Sequence, residues 1–392
     1  MNKNFYRLVF NPARGISMPV AETARTRSKT DGGVARTGSL PKDLVAVLRP
    51  MVFAVLTGLG MVSLLNPSAW AQIVADPSAP GNQQALVTQA ANGVPVINIQ
   101  TPSAAGVSRN LYNQFDVGSQ GVILNNSRTN TATQLGGWIQ GNPYLPGSPA
   151  RVILNEVNSA NPSQLLGYIE VGGSRAQVVI ANPAGITCDG CGFINTSRAT
   201  LTTGTPILNG GNLDGYRVQR GVINVQGAGL DSRQSDYTDI IARAVVVNAG
   251  IWAKQLNVTA GANQVNAANN IATPLVGSGA TPGVAIDVAT LGGMYAGKIT
   301  LISTEAGVGV HNAGQIGATA GDVVITAEGR LQNSGQITSA HNLTSNTAGV
   351  SNSGTLQALD NATLTSVSDI DNTGVIAAGA DLGGCPRFCV NG

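Results

Sequence analysis

Short apolar runs separated by glycine, asparagine or proline dominate this chain from Val94 onward. Val94-Pro95-Val96-Ile97-Asn98-Ile99, Val122-Ile123-Leu124, Val152-Ile153-Leu154-Asn155-Glu156-Val157, Leu166-Gly167-Tyr168-Ile169-Glu170-Val171 and Gln177-Val178-Val179-Ile180 each fit one strand. Leu111 to Val117 alternates before Gly118, and Trp138-Ile139-Gln140 precedes a turn. Strands of this length at roughly ten-residue intervals, with turn formers between them, indicate a sandwich, a barrel or a solenoid.

The second half separates these three. Asn312-Ala313-Gly314-Gln315-Ile316, Asn333-Ser334-Gly335-Gln336-Ile337, Asn352-Ser353-Gly354-Thr355-Leu356 and Asn372-Thr373-Gly374-Val375-Ile376 share one pattern, at spacings of 21, 19 and 20. A fixed period of this size marks a repeat architecture. Second strands such as Val323-Val324-Ile325-Thr326 lie between the copies, and no helical period runs through the region. Asn248-Ala249-Gly250-Ile251-Trp252 lies 64 residues before Asn312, about three periods, so the ladder is expected to begin before it becomes plain. Each coil of such a stack buries its apolar edge only against its neighbours. Asn and Gly are expected to take left-handed corners, and stacked Asn side chains to bond from coil to coil. The fold class expected is all-β: a parallel β-helix of about 20 residues per coil, a rod on the order of 70 Å at about 4.8 Å per coil.

Composition narrows the class without changing it. Among 392 residues, 50 are Gly and only 11% are charged, too few charges for disorder and too little Glu and Lys for helices. The net charge of +2 averages two unlike pieces. Met1 to Arg49 carries nine Lys or Arg against three acids. Met51 to Leu65 is apolar and uncharged, Asn66-Pro67-Ser68 breaks it, and Ala69-Trp70-Ala71 follows. These are the parts of a secretory signal with cleavage between Ala71 and Gln72, and the apolar run is shorter than the roughly 20 residues that span a bilayer. The remaining 13 basic and 17 acidic residues make Gln72 to Gly392 mildly acidic, which argues against nucleic acid as a partner.

Val178 to Gly204 organises the rest. Val178-Val179-Ile180-Ala181 runs into Asn182-Pro183-Ala184-Gly185, where Pro presets one turn position and Gly tolerates positive φ. A second strand, Cys188-Asp189-Gly190-Cys191-Gly192 and a further alternating run follow.

Two resemblances are specific. Asn2-Lys3, Tyr6-Arg7-Leu8-Val9-Phe10-Asn11, Ala13-Arg14-Gly15 and Val20-Ala21-Glu22 resemble the extended signal region of large Gram-negative exoproteins. Asn113-Gln114-Phe115-Asp116-Val117, Asn182-Pro183-Ala184-Gly185-Ile186, Leu201-Thr202-Thr203-Gly204 and Asp239-Ile240-Ile241-Ala242-Arg243 resemble the secretion domain of filamentous haemagglutinins and contact-dependent-inhibition exoproteins. The resemblance implies export to the periplasm unfolded, capture by an Omp85-class outer-membrane transporter, and folding as a right-handed β-helix with N-terminal capping strands at the cell surface. It implies a monomer that serves adhesion or contact-dependent toxin delivery, with a host glycan or cell-surface receptor as a further partner and no enzyme activity or cofactor. Residues 1–71 are the expected extended signal, 72–261 the secretion domain and 262–392 a repeat shaft cut short.

The family's two Asn-Pro motifs map onto Asn142-Pro143-Tyr144-Leu145 and Asn182-Pro183-Ala184-Gly185-Ile186, with Tyr144 and Ala184 standing where the family has a second Asn. The candidate transporter-recognition residues are therefore Asn142, Pro143, Asn182, Pro183, Gly185 and Ile186, and closing a tight turn explains the motifs equally well. Cys188 and Cys191, in an exported protein, suit a small loop-closing disulfide better than a zinc half-site, since His311 and His341 are far away in sequence. Contact-inhibition relatives carry a comparable pair, and Cys385 and Cys389 match no family feature. The rival class is a β-helical polysaccharide lyase or glycosidase, which needs paired carboxylates about 5 to 10 Å apart. Asp231, Asp236 and Asp239 are its candidates, beside Arg233 and Arg243, and a solvated loop explains them more simply.

Overall fold

The computed structural model describes Tyr6–Asn11, Ile16–Ala21 and residues 72–383, in two units divided between Ser68 and Ala69. In the first unit Tyr6–Asn11 and Ile16–Ala21 pair as an antiparallel hairpin. The apolar run Met51 to Leu65, Ala71 of the expected cleavage junction, Cys385 and Cys389 lie outside the described residues.

The second unit is a right-handed parallel β-helix with three faces. On the first face Val107–Phe115, Val152–Val157, Ala176–Ala181, Thr196–Thr202, Tyr237–Ala242, Gln255–Ala260 and Lys298–Ser303 stack in parallel. Pairing on the second face runs from Pro95–Asn98 through Val122–Asn126 and Tyr168–Gly173 to Gly250–Ala253, Gly293–Ala296 and Gln315–Ala318. The third begins at Ser163–Leu165 and passes through Ala244–Val247, Ile286–Val288 and Val310–Asn312. Period-2 alternation sends every other side chain inward. Ile153, Val178, Ala199, Thr238, Leu256, Ile299, Val323, Leu343 and Ala362 thus form one buried column, every member but Thr238 part of a single continuous apolar core.

The first coil would expose a sheet edge, a template for unwanted pairing. Antiparallel strands cap it: Ile73–Ala75 lies on Val107–Phe115, and Leu86–Gln89 lies on Pro95–Asn98.

One inward column on the third face records how the stack changes along its length. Val117, Leu165, Cys188, Val225, Val247, Val288, Asn312, Asn333, Asn352 and Asn372 follow one another in register. From Asn312 onward each Nδ2 donates to the Oδ1 of the next Asn at 2.7 Å, a buried chain of amides. Asn312 Oδ1, which faces Val288, ends the chain without a partner.

Three expectations need correction. The ladder residues do not adopt left-handed corners: among described non-Gly residues only Asn195 and Asn269 have positive φ (56° and 52°), and Gly314, Gly335, Gly354 and Gly374 do not. These glycines are set by close approach, since a Cβ on Gly335, Gly354 or Gly374 would strike the glycine carbonyl of the preceding coil. Asn248 is exposed and off the column, its place taken by Val247. The 64 residues to Asn312 hold two enlarged steps rather than three periods, because Val247 pairs with Val288 and Val288 with Asn312. The stack is also shorter than 70 Å. From Val107 to Leu382 the first face advances in ten steps, about 50 Å at about 4.8 Å each.

The missing length lies in excursions that the period did not reveal. Thr205–Asn209, Asn212–Val218, Asn263–Asn266 and Ala272–Pro274 leave the coils and form a four-stranded antiparallel sheet. It covers the outside of the first face, where Leu213, Tyr216, Val218 and Val265 bury Val107, Leu154, Val179 and Ile241. A smaller hairpin, Thr131–Thr133 with Gly137–Ile139, packs Ile139 against Val94, Val96 and Ile123 outside the second face.

Candidate functional site

Both Asn-Pro motifs are the same local device. Asn142 Oδ1 accepts from the Tyr144 amide at 2.9 Å, and the Leu145 amide closes the turn on the Asn142 carbonyl at 3.2 Å. Asn182 Oδ1 accepts from the Ala184 amide at 2.9 Å, and the Gly185 amide closes on the Asn182 carbonyl at 3.0 Å. Each is an Asn side chain mimicking a backbone turn, with Pro presetting the second position.

The Asn side chains are also tied inward. Asn142 Nδ2 donates to the carbonyls of Ile99 (2.8 Å) and Asn125 (2.9 Å). Asn182 Nδ2 donates to the Asn161 carbonyl and Ser163 Oγ, both at 2.9 Å. Asn142, Asn182, Gly185 and Ile186 are buried, Pro183 is half-buried and Pro143 is exposed. Gly185 has φ 124°, a conformation that favours Gly. The two turns occupy different corners, one leading into the first face at Val152 and the other leaving it after Ala181.

Beside Asn142-Pro143 lies an open groove of about 490 Å³, lined by Leu86, Thr88, Asn98, Trp138, Gln140 and Pro143 among others. Trp138 is 74% exposed on the small hairpin. The buried Glu170 carboxylate holds that hairpin by accepting from the Gln134 amide (2.7 Å) and the Leu135 amide (2.8 Å).

Cys188 and Cys191 are joined by a disulfide, Cα atoms 5.3 Å apart, at the corner where Ile186–Ile194 passes from the third face to the second. Cys188 sits in the apolar column between Leu165 and Val225.

Each of the three candidate acids is held in ion pairs of its own. Arg233 beside Asp231 (2.7 Å) holds that carboxyl below its ordinary range. Asp236 is half-exposed between Arg175 (2.8 Å) and Lys254 (3.2 Å), and Arg175 foremost lowers it. Asp239 lies on a strand, fully buried, rather than on a solvated loop: Arg198 Nη1 donates to it at 2.6 Å, and Asn257 and Asn269 donate to its other oxygen. Burial pushes the Asp239 carboxyl up, and Arg198 opposes that shift.

These contacts give Asp239-Ile240-Ile241-Ala242-Arg243 a structural meaning. Asp239 reaches Asn269 in the second excursion, while Ile241 packs under the antiparallel sheet. Arg243 donates to the Ser278 carbonyl (2.6 Å) and forks onto Glu305 (2.7 Å), whose carboxyl Arg243 holds low. The segment fastens the outer sheet to the helix. The sequence carried that motif but no sign of its partners: Arg198 and Glu305 stand 41 and 62 residues from Asp239 and Arg243, just as Glu170 stands 36 residues from the hairpin amide it holds.

Comparison with known proteins follows the same outline. The family model for the TPS secretion domain matches residues 71–333. The chain belongs to the two-partner secretion family. A second model, the extended signal peptide of type V secretion systems, matches residues 1–49. The chain is 60% identical over 358 residues to Toxin CdiA of Yersinia pestis, covering 91% of this chain and 11% of that protein. It is 50% identical to tRNA nuclease CdiA-2 of Burkholderia pseudomallei, covering 87% and 11%. Among solved structures, a filamentous hemagglutinin secretion domain superposes with TM-score 0.59 at 33% identity, covering 79% of this chain and 96% of that one. This two-partner secretion chain thus spans about a tenth of the length of the relatives it matches. It corresponds to their secretion part, not to an enzyme domain, and is exported across the periplasm for secretion or surface display.

Proposed function

We propose that this chain is the export-directing part of an exoprotein that serves adhesion or contact-dependent toxin delivery. An Omp85-class outer-membrane transporter takes it up through residues 72–261, and residues 262–392 form a shaft. The chain acts as a monomer, and in this reading none of its described residues has a catalytic role. Whatever host glycan, receptor or toxin activity the exoprotein uses belongs to the reading of the longer relatives.

The observation that carries this is the burial of the two motif Asn side chains, Asn142 and Asn182. Asn142 and Asn182 spend their amides on the turns and coils, so a transporter meeting the folded helix finds no free Asn. Recognition of these motifs therefore belongs to the extended chain in the periplasm, and turn formation follows at the surface. In the folded state Pro143 and Trp138 are what remain on view.

The test is secretion of the full chain from a Gram-negative host with and without a matching transporter. Transporter-dependent appearance in the medium of a protease-resistant fragment beginning at Gln72 is expected. Retention in the periplasm with the transporter present would overturn the reading. Asn182→Ala is expected to lower secretion, whereas Trp138→Ala leaves it unchanged.

A further inference from the structure

The first excursion leaves the coils and returns to them within one small area. Thr203 and Thr205 stand where the chain departs from Thr196–Thr202, and Gln219 and Arg220 where it comes back from Asn212–Val218. Ser278 lies in the segment after the second excursion. With Arg217 and with Pro183 of the second Asn-Pro turn, these residues line an open pocket of about 270 Å³.

Long-range contacts fix its walls. The Ser278 amide donates to the Gln219 carbonyl at 2.9 Å, and Arg243 holds the Ser278 carbonyl at 2.6 Å. The Thr203 amide donates to the Ile241 carbonyl at 2.9 Å. Gly221 has φ 90°, and a Cβ on it would meet Thr203 Cβ at 2.7 Å and the Pro183 carbonyl at 2.9 Å. Only Gly lets the returning chain sit this close to both. Thr205 and Arg217 are cross-strand partners in the antiparallel sheet, so their side chains share its outward face.

Two features of the pocket are unspent. The ion pairs among the described residues use Arg109, Arg175, Arg198, Arg233, Arg243 and Arg330, and leave Arg217 and Arg220 without a carboxylate. No Asp or Glu lines the pocket. Thr203 is 1% exposed, and its Oγ1 is buried without a hydrogen-bond partner. A buried hydroxyl left in that state costs about 1–3 kcal/mol, which a ligand accepting from it would recover.

We propose that this pocket binds a phosphomonoester. Such a group carries a charge of about −1.5 to −2 at pH 7 and three acceptor oxygens. Two guanidiniums match that charge, and each can fork onto a pair of phosphate oxygens. The hydroxyls of Thr203, Thr205 and Ser278 supply further donors for the oxygens that the arginines leave. A lone carboxylate has half the charge and fewer acceptor positions than the pocket can serve. The site lies on the folded, secreted protein, so it goes beyond the export reading and fails or stands separately from it.

The test is calorimetric titration of the secreted full chain with glycerol 3-phosphate, inorganic phosphate and acetate. Saturable binding of both phosphates is expected, with acetate at least about ten-fold weaker. Arg217→Gln and Arg220→Gln, both at exposed positions, should each weaken phosphate binding about ten-fold or more, and the isosteric Thr203→Val about five-fold. Circular dichroism confirms that the variants keep the β-helix. Sedimentation with vesicles of phosphatidylcholine, alone or mixed with phosphatidic acid, separates the sources of the group. Capture by the mixed vesicles only assigns a lipid headgroup, and glycerol 3-phosphate binding without capture assigns a soluble ligand. Absence of binding to the phosphates and to the mixed vesicles would overturn the proposal. So would acetate binding as tightly as phosphate, or undiminished binding by all three variants.

Discussion

The coils before and after Val288 share one fold and solve it differently. Before it, the third-face column is Leu165, Cys188, Val225, Val247 and Val288, all apolar or disulfide-bonded, and the coils throw out a hairpin and an antiparallel sheet. After it, the same column is Asn312, Asn333, Asn352 and Asn372, and the steps settle to 21, 19 and 20 residues. An apolar column tolerates variable coil lengths because hydrophobic burial is non-directional. An amide ladder needs each donor at hydrogen-bond distance from the next acceptor, which holds successive coils to one geometry. The irregular part belongs to the secretion domain and carries the family's motifs. The regular part repeats one geometry from coil to coil.

The sharpest break in this comparison comes from the fastener of the outer sheet. Asp239→Ala would leave Arg198 without its carboxylate and Asn257 and Asn269 without their acceptor, in a site where the carboxyl is fully buried. Removing one partner of a buried ion pair costs about 3–5 kcal/mol. A marked drop in the urea midpoint is expected, together with proteolysis within residues 205–218 and 263–274. Among the described residues no buried charge lies in the regular coils, so no substitution there should match it.

The column gives the next effect. Asn333→Ala orphans the buried Asn352 Oδ1 and takes the shortest acceptor from Asn312 Nδ2, which keeps the Gly314 and Gln336 carbonyls at 3.4 and 3.3 Å, at a cost of about 2–3 kcal/mol. Introducing Asn on the apolar side should depend on where it lands. Val247→Asn places an amide between Val225 and Val288 with no amide partner, whereas Val288→Asn offers a donor to the unpartnered Asn312 Oδ1. Thermal melting should therefore show Val247→Asn as the more damaging by about 1 kcal/mol or more. Equal losses would mean that the ladder is not a directional chain.

The disulfide gives the smallest effect. Cys188 and Cys191 enclose a very short loop, so replacing both with Ala should cost about 2 kcal/mol by loop entropy. Comparable denaturation midpoints with and without reductant would limit its role to packing in the column.

How much of this was legible beforehand follows the same divide. The regular coils announce themselves because one residue type must recur at one position, and Asn312 to Asn372 do so. Their physical reason was only half visible: the amide chain was expected, whereas the glycines answer to a neighbouring carbonyl rather than to φ. Tight turns at Asn142 and Asn182 were readable because Asn-Pro chemistry is local. The antiparallel sheet was not. Its strands leave two different coils and meet only in space, and Asp239 looked like a solvated acid because Arg198, Asn257 and Asn269 approach it from separate coils. The displaced Asn248 shows the cost of extending a period through enlarged coils.

The information for export is proposed to lie within residues 72–261, inside the family match that ends at residue 333. The most direct measurement is transporter-dependent secretion of a chain ending at Asn333, compared with the full chain in the same host. Equal secretion, lost when the transporter is omitted, is the predicted result. Retention of the shortened chain in the periplasm, with the full chain still exported, would place essential export information in the regular shaft and contradict the account.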